Sequence, residues 1–564
     1  MKKTVLIIIS ISMILTPVGS FASSTTLDIS SWLPAHREDS GTDVYQAYRA
    51  NSSEHYRSAS PFNSMDVKYD GVVRVSDDDR SIKSISPGGY VKISVRTFGN
   101  SRELLVNSNS QGKLSYEFYE GRKEIPYEPE GRRWLEDVLL DVVRSTGLDA
   151  EGRTARIYSK GGLDDVLDEI THVSSNSAKS KYFSTLLDNQ KLSNKELADV
   201  VFAIAGKMTS NTERGRIFRK YNSYFLQEPE VAAAYFSALS KITSDTEKGR
   251  IYRDIDQSLD FNNIQLAEAY FSGINRINSN TEKSSVLRHT IENQDLPVHA
   301  QAALLRSVSR ITSSTEAGRV LRSLGELDFT HPMIQETYFI AVDNISSATE
   351  TGSALRDVLT KNSLEGPAMI AYLSSTRKIS SSTQISHVIR SIKIIDLDDA
   401  GIREAYFNVI RLTSSTTEAG RMLRYTLETH SLKQHSLINL CETNRRISSN
   451  TEVSSVLRAS IPYLIYEEPV LDAFFSCTNV LSSSTEHGRV LRELAKVQDL
   501  DRQAVSGIMH SATKISSSTE KGSVLRAVAP MIEDGDREMK DLFMETARTL
   551  SSDSEYRRVM DAIM

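Results

Sequence analysis

The chain has 564 residues, of which 39% are hydrophobic and 25% are charged, and its formal net charge is −6. This composition is that of a soluble protein, long enough to bury one large core or several small ones. The acidic balance argues against binding to nucleic acid or to an anionic membrane surface, because such proteins are usually basic. Two cysteines, Cys441 and Cys477, are too few for a disulfide framework, and the sequence leaves open whether they pair.

The N-terminal segment, residues 1–22, has the pattern of a signal peptide. Two lysines precede an apolar run over residues 5–15, and small residues lead up to Ala22. The run is about half of the ~20 residues that a membrane span requires. We therefore expect a periplasmic or secreted protein that is cleaved after Ala22, with a net charge of −8 once two lysines are removed. Residues 23–65, rich in serine and other polar residues, are predicted to form a polar leader.

Residues 66–128 have the period of two that is typical of half-buried strands. Val91, Ile93 and Val95 alternate with polar residues, for example. Turn signals divide the segment into hairpins at 87–89, 98–100, 109–112 and 120–121. The sequence predicts a small antiparallel β-meander here. Residues 129–170 are predicted to be helical and to cap the array that follows.

From residue 171 to residue 564 one short motif recurs. The segment 515–526 reads ISSSTEKGSVLR, and 481–492 reads LSSSTEHGRVLR. Aligned on its acidic residue, the motif recurs every 34 or 35 residues, and this position is occupied by Glu213, Glu247, Glu282, Glu316, Glu350, Gln384, Glu418, Glu452, Glu486, Glu520 and Glu555. A degenerate first copy from Val173 makes twelve. A fixed period of this length indicates a solenoid.

Each copy is predicted to hold two helices. Ser517 and Glu520 stand three apart, as in a capping box, so the first helix, helix A, is expected to begin near Thr519. A second segment of helical period, helix B, lies upstream of each cap. Because neither short helix can bury its apolar face alone, neighbouring copies must stack. The predicted fold is mainly α: a right-handed α-solenoid of HEAT-like two-helix repeats, close to the TPR length, after the β-meander.

A glycine follows the acidic residue by two positions in most copies, and serine replaces it in three. Glycine inside a helix costs about 1 kcal/mol relative to alanine, so its periodic use predicts a compensating contact, for which we expect a closely packed neighbouring helix. The glycines are Gly215, Gly249, Gly318, Gly352, Gly420, Gly488 and Gly522, and the serines are Ser284, Ser386 and Ser454.

Helix B carries a recurrent aromatic pair. Exposed aromatic rings could bind sugars, but the helical register of the pair is that of the core, so packing is the expected role. The pairs are Tyr235 and Phe236, Tyr270 and Phe271, Tyr338 and Phe339, Tyr406 and Phe407, and Phe474 and Phe475. Cys441 occupies the second site of the pair in its copy and is expected to be a buried small hydrophobic residue.

An arginine follows the acidic position by six residues in ten copies, and lysine never replaces it. The planar guanidinium suits carboxylates or clustered carbonyls. We expect these arginines to form an internal ladder that ties each repeat to the next; the alternative is a periodic anion or partner site along a groove. The candidates are Arg219, Arg253, Arg288, Arg322, Arg356, Arg390, Arg424, Arg458, Arg492 and Arg526.

The run EGRRWLEDVLLDVVRSTGLDAEGRTARIYSKGGLDDVLDEI from Glu130, together with repeats that end in LSSDSEYRRVMDAIM, resembles the periplasmic region of antirepressor-type zinc metallopeptidases, the beta-lactam-sensor family. The resemblance spans residues 66–564. In that family the zinc peptidase lies in a separate membrane part with a His-Glu-x-x-His motif. The sequence has no such motif, so the resemblance implies an exported repeat region and no catalytic residue.

The sequence contains no catalytic elbow, phosphate loop, or histidine pair at metal-ligand spacing, and we expect neither cofactor nor enzymatic activity. The leading hypothesis is a periplasmic scaffold or sensor module that binds a protein or peptide on its solenoid surface. Two alternatives are a polyanion or glycan binder that uses the arginines, and a hydrolase with an unrecognised site. The sequence leaves open the partner, the binding face, the oligomeric state and the pathway.

Overall fold

The computed structural model describes residues 53–60, 63–255, 259–533 and 535–564. The predicted signal peptide and most of the predicted leader lie outside these residues. Within them the chain forms an antiparallel sheet followed by a long series of helices. Both parts of the predicted fold class are therefore confirmed.

Eight strands form the N-terminal part: β1 (Glu54–Ala59), β2 (Asn63–Asp70), β3 (Val73–Val75), β4 (Ile82–Ile85), β5 (Tyr90–Thr97), β6 (Asn100–Ser108), β7 (Leu114–Glu120) and β8 (Lys123–Ile125). Six of them pair in the order β1-β2-β5-β6-β7-β8, antiparallel throughout, while β3 and β4 form a separate hairpin. Three of the predicted turns join paired strands, and the fourth, at 87–89, connects β4 to β5, which belong to different sheets. Four of the turn glycines, including Gly88 and Gly112, have positive φ.

The sheet begins earlier than the sequence predicts. Strand β1 lies inside the segment expected to be a polar leader, and it pairs with β2 along its whole length, Glu54 opposite Tyr69 and Ala59 opposite Ser64. Four of its six residues are exposed. A strand at the edge of a sheet needs only backbone hydrogen bonds on one side, so its side chains need not show the alternation that reveals a half-buried strand.

Twenty-six helices follow in the described part of the chain. The first two are α1 (Arg132–Thr146) and α2 (Ala150–His172), the latter broken at Gly162, whose φ is 70°. The sequence places both in a cap on the array, but they enter different cores. Trp134 and Leu139 of α1 pack with the sheet, against residues such as Ile93, whereas the array core begins with α2.

The remaining helices form the repeats. Helix A of successive copies is α3 (Asn176–Asn189), α5 (Asn211–Lys220), α8 (Asp245–Arg253), α10 (Asn280–Asn293), α12 (Ser314–Ser323), α14 (Ala348–Lys361), α16 (Ser382–Ile389), α18 (Thr416–Thr429), α20 (Asn450–Ser460), α22 (Ser484–Leu494), α24 (Ser518–Val528) and α26 (Asp553–Ile563). Helix B is α4 (Asn194–Lys207), α7 (Pro229–Leu239), α9 (Ile264–Asn275), α11 (Val298–Val308), α13 (Pro332–Asp343), α15 (Gly366–Arg377), α17 (Ala400–Arg411), α19 (Gln434–Asn444), α21 (Glu468–Thr478), α23 (Arg502–Ala512) and α25 (Arg537–Arg548). A short helix, α6 (Asn222–Phe225), lies between α5 and α7.

Neighbouring copies stack helix A on helix A and helix B on helix B. Their apolar faces merge into one continuous core that runs from Ala150 to Val559. The aromatic pairs of helix B belong to this core, with only Phe475 partly exposed. Cys441 and Cys477 are buried free thiols, and burial raises the pKa of each, to about 12 for Cys477.

Candidate functional site

The arginine row bridges consecutive repeats. Seven of its ten members donate from Nη1 to the acidic position of the following copy. In the closest pair, Arg492 and Glu520 are 2.6 Å apart, and in Arg356 the acceptor is the neutral Gln384 at 3.2 Å. The other pairs are Arg219 with Glu247, Arg253 with Glu282, Arg322 with Glu350, Arg424 with Glu452, and Arg526 with Glu555. We call each such contact a rung.

The periodic glycine makes room for the rung. A Cβ atom on Gly420 would lie 2.4 Å from Glu452 Oε2 and 3.3 Å from Arg424 Nη1, both closer than ordinary packing allows. The other six glycines of this position face the same two groups of their own junctions. The compensating contact is therefore made with the neighbouring helix, as the sequence predicts, and the group that makes it is a carboxylate, or in one copy an amide.

The three junctions that carry serine lack the rung. In the described structure Arg288, Arg390 and Arg458 form no hydrogen bond to the next acidic residue. Their would-be acceptors, the Oε2 atoms of Glu316, Glu418 and Glu486, are buried without a partner. Each of these glutamates instead uses Oε1 to accept from an arginine three residues later in its own helix, Arg319, Arg421 or Arg489. Serine and a rung are thus mutually exclusive along the array.

The rungs occupy the guanidinium groups that the sequence offers as an anion or partner site. At the last rung Arg526, followed by Arg558, holds the pKa of Glu555 below its usual value, so this carboxylate is charged and paired near neutral pH. An anion would have to displace a carboxylate already in place. The geometry therefore supports the structural role for seven of the ten arginines.

The glutamate does not complete the predicted capping box in the repeats. Ser517 Oγ accepts from the Glu520 amide at 3.4 Å, but the carboxylate of Glu520 serves the rung. The amide of Ser517 donates instead to Ser484 Oγ of the preceding copy, at 3.2 Å. Asn176 and Asn450 make equivalent bonds to the next loop. The repeated serine-rich motif is therefore a hydrogen-bonded ladder of loops beside the ladder of rungs.

An ionic cluster joins the β-domain to the first repeats. Arg153, 3% exposed, donates two hydrogen bonds from Nε to Asp79 of the β3–β4 turn and one from Nη1 to Glu169, and it also contacts Tyr182. Burial alone would raise the pKa of Glu169, but Arg144 and Arg153 lower it overall. All charges are paired, so the cluster acts as a fixed joint rather than as a reactive site.

A polar cleft of about 330 Å³ lies beside this joint. In it Tyr69 donates to Glu54 at 2.6 Å, and Lys181 contacts both, lying 2.9 Å from the Tyr69 hydroxyl. Burial, followed by the hydrogen bond to Glu54, raises the pKa of Tyr69 far above its usual value. The phenol is thus unsuited to act as a base near neutral pH, and the trio holds β1 and β2 to α3.

A larger cleft, of about 700 Å³, interrupts the regular edge of the array. Helix α16 has only eight residues, against fourteen in α14 and α18, and residues 390–399 run on as a loop. That loop, SIKIIDLDD after Arg390, is rich in β-branched residues, which disfavour helix. Ile394 on the rim is 88% exposed. The walls include Leu359, Leu364, Met369, Ile392, Ile395 and Ile402.

The repeat period of the sequence does not predict this cleft. The signals were present: Gln384 breaks the run of glutamates, Ser386 replaces the glycine, and three isoleucines follow within residues 392–395. Each of these is a small deviation from the repeat consensus and is not informative alone. Only their occurrence together in one repeat distinguishes this position. Elsewhere in the described residues, no group of three His, Cys, Asp or Glu side chains could hold a metal ion, and no helix is long and apolar enough to cross a membrane.

The chain matches no family model and no curated protein. Among solved structures, it is similar to a chain of a homology model of the full-length AP-3 complex (14% identity, 76% of this chain and 88% of that chain, TM-score 0.27). It is also similar to an engineered protein (17% identity, 75% and 97%, TM-score 0.17) and to a chain of the Chs5-Bch1 exomer cargo adaptor complex (8% identity, 89% and 84%, TM-score 0.16). TM-scores this low carry no argument about function.

Proposed function

We propose that the chain is an exported, non-enzymatic repeat scaffold that binds a polypeptide partner, with the cleft beside Ile394 as the seat of an apolar partner side chain. The observation that carries the proposal is the cleft itself. It opens between the C-terminal end of α14 and the loop that follows the short helix α16, and an apolar side chain stands on its rim almost fully exposed.

The chemistry of the cleft supports a polypeptide rather than a small polar ligand. Its lining combines aliphatic side chains, such as those of Leu359 and Ile395, with exposed charged residues that include Lys393, Asp396 and Asp399. An apolar centre with a polar rim is the usual composition of a protein interface. Packing within the chain does not require an apolar side chain at Ile394, because this side chain is almost fully exposed. Burying one isoleucine side chain against a partner would contribute about 1.5–3 kcal/mol.

Site-specific photo-crosslinking tests the proposal. A photoreactive amino acid at position 394 should capture one defined partner in intact cells, identifiable by mass spectrometry, and Ile394→Asp in the same chain should abolish the capture. Ile264, 57% exposed at the start of α9, offers a matched position for both the probe and the substitution. Equal capture from positions 394 and 264, or none from either, would contradict the proposal.

Export is a separate part of the proposal and needs its own measurement. Fractionated cells should hold the chain outside the cytoplasm, and N-terminal sequencing of the mature protein should begin at Ser23. A cytoplasmic protein with an intact N-terminus would overturn the export proposal without touching the partner-binding cleft.

A further inference from the structure

The two long edges of the repeat array differ in the prevailing charge of their exposed loop residues. At one edge helix B ends and a loop leads to the next helix A. Exposed basic side chains recur there at one repeat position, and we call them the basic edge: Lys241, Arg276, Arg310, Arg446 and Lys514. At the other edge helix A ends and helix B begins, and the exposed loop residues there include Asp260, Asp295, Asp328, Asp396 and Asp499.

Helix dipoles do not explain this segregation. Basic residues are favoured at helix C-termini and acidic residues at N-termini. Each edge of the array, however, contains the C-termini of one set of helices and the N-termini of the other set. A dipole effect would therefore give both edges the same mixture of charges. The difference in sign points to a selective contact outside the fold.

The basic edge is available for such a contact. None of its five side chains forms an ion pair within the part of the chain that the structure describes, whereas Lys378 at the same repeat position pairs with Asp343. The backbone beneath is held in place, since Arg214 donates to the Lys241 carbonyl at 2.8 Å and Lys248 to the Arg276 carbonyl at 3.0 Å. The charges are thus free while their positions are fixed.

The residues that occupy the basic-edge position in the other repeats favour a polypeptide ligand over a uniformly charged polymer. Two of them are exposed apolar residues, Leu412 (61% exposed) and Val480 (46% exposed). Apolar positions between charges suit a protein segment that mixes acidic and apolar side chains, and they gain nothing from a polyanionic glycan or nucleic acid. The net charge of the whole chain, −6, also opposes long polyanions.

We propose that the basic edge binds an extended acidic segment of another protein. This inference rests on the proposed scaffold function and names the chemistry of its partner. Stacked helices are about 8–10 Å apart, so Lys241, Arg276 and Arg310, which lie on three consecutive repeats, recur at about that interval. An extended chain advances about 3.3 Å per residue. A carboxylate at every third residue would therefore meet these three side chains in register, and Arg446 and Lys514 would pair with acidic residues farther along the segment.

Fluorescence anisotropy with synthetic peptides tests the proposal on the full mature chain. One probe carries aspartate at every third residue; a second has the same composition with its aspartates in one block. We expect the periodic probe to bind at least tenfold more tightly than the block probe, and to weaken steeply as salt is raised. The triple variant Lys241→Glu, Arg276→Glu and Arg310→Glu should lose at least tenfold in affinity.

A matched variant of equal net charge change, Lys191→Glu, Lys433→Glu and Lys496→Glu on the opposite edge, should bind the periodic probe as the wild type does. Equal losses in both triple variants would overturn the proposal, because only overall charge would then matter. Tighter binding of a sulfated glycan than of the periodic peptide, or salt-sensitive self-association of the chain through the basic edge, would also overturn it. Each of these results leaves capture of a partner at position 394 untouched, so the scaffold function is tested separately.

Discussion

Replacing a rung glycine by alanine sets two known effects against each other. In Gly420→Ala the helix gains about 1 kcal/mol, because alanine is the better helix former. The new Cβ, however, would stand 2.4 Å from Glu452 Oε2 and must push the carboxylate away from Arg424. A hydrogen bond to a charged group contributes about 1.5–3 kcal/mol. We expect a net loss of about 0.5–2 kcal/mol in the free energy of unfolding.

Two further variants isolate the cause. Gly206 in α4 has nothing within 4 Å of its would-be Cβ, so Gly206→Ala should stabilise the protein by up to about 1 kcal/mol. At a junction without a rung, Ser454→Gly should let Arg458 reach Glu486, whose Oε2 is buried and unpartnered. Although the helix loses about 0.5 kcal/mol, this variant should gain stability.

Urea unfolding followed by far-UV circular dichroism measures all three variants, with hydrogen exchange in α18 and α20 as a local readout, since long repeat arrays need not unfold in one step. The reasoning is refuted if Gly420→Ala stabilises the protein as much as Gly206→Ala does. It is also refuted if Ser454→Gly lowers the stability as an ordinary glycine substitution in a helix does. The Glu486 carboxylate would then not form a rung even when the serine side chain is removed.

Other consequences follow from the same junctions. Arg322→Lys should destabilise the protein by about 1 kcal/mol because lysine recovers only part of the rung to Glu350, while Arg288→Lys, which loses no rung, should be nearly neutral in the same urea experiment. Burial lowers the pKa of His487 from 6.5 to about 4, so stability is full above pH 6.5 and falls by about 3 kcal/mol as pH drops toward 4. His487→Gln should remove this loss in a pH series and exposed His510→Gln should keep it. Deleting residues 485–518, one whole repeat, should leave a folded chain with nearly unchanged helicity per residue, and global unfolding in its circular dichroism spectrum would contradict nearest-neighbour stacking.

The sequence alone determined the features whose causes are local. The start of helix A can be predicted from the sequence because the side chain of its N-cap serine accepts a hydrogen bond from the backbone amide three residues later. The buried pairs of helix B, such as Tyr406 and Phe407, are visible because a helix presents one face every 3.6 residues. The twelve copies of the motif then required stacking. Strand β1 was not predicted because its residues do not alternate between apolar and polar. It forms by pairing with β2, which is not a local feature of the sequence.

Only the tertiary structure decided which partners meet across copies. Glu520 looks like a local cap from three residues away, yet its carboxylate serves Arg492, 28 positions earlier in the chain. The absence of a Cβ at Gly488 matters because the Glu520 carboxylate lies where that atom would be crowded. Similarly, α1 and α2 follow each other within a few residues of sequence, and their separation into two cores depends on the position of the sheet. A period reveals that a contact recurs, but the identity of its partner is a property of three-dimensional packing.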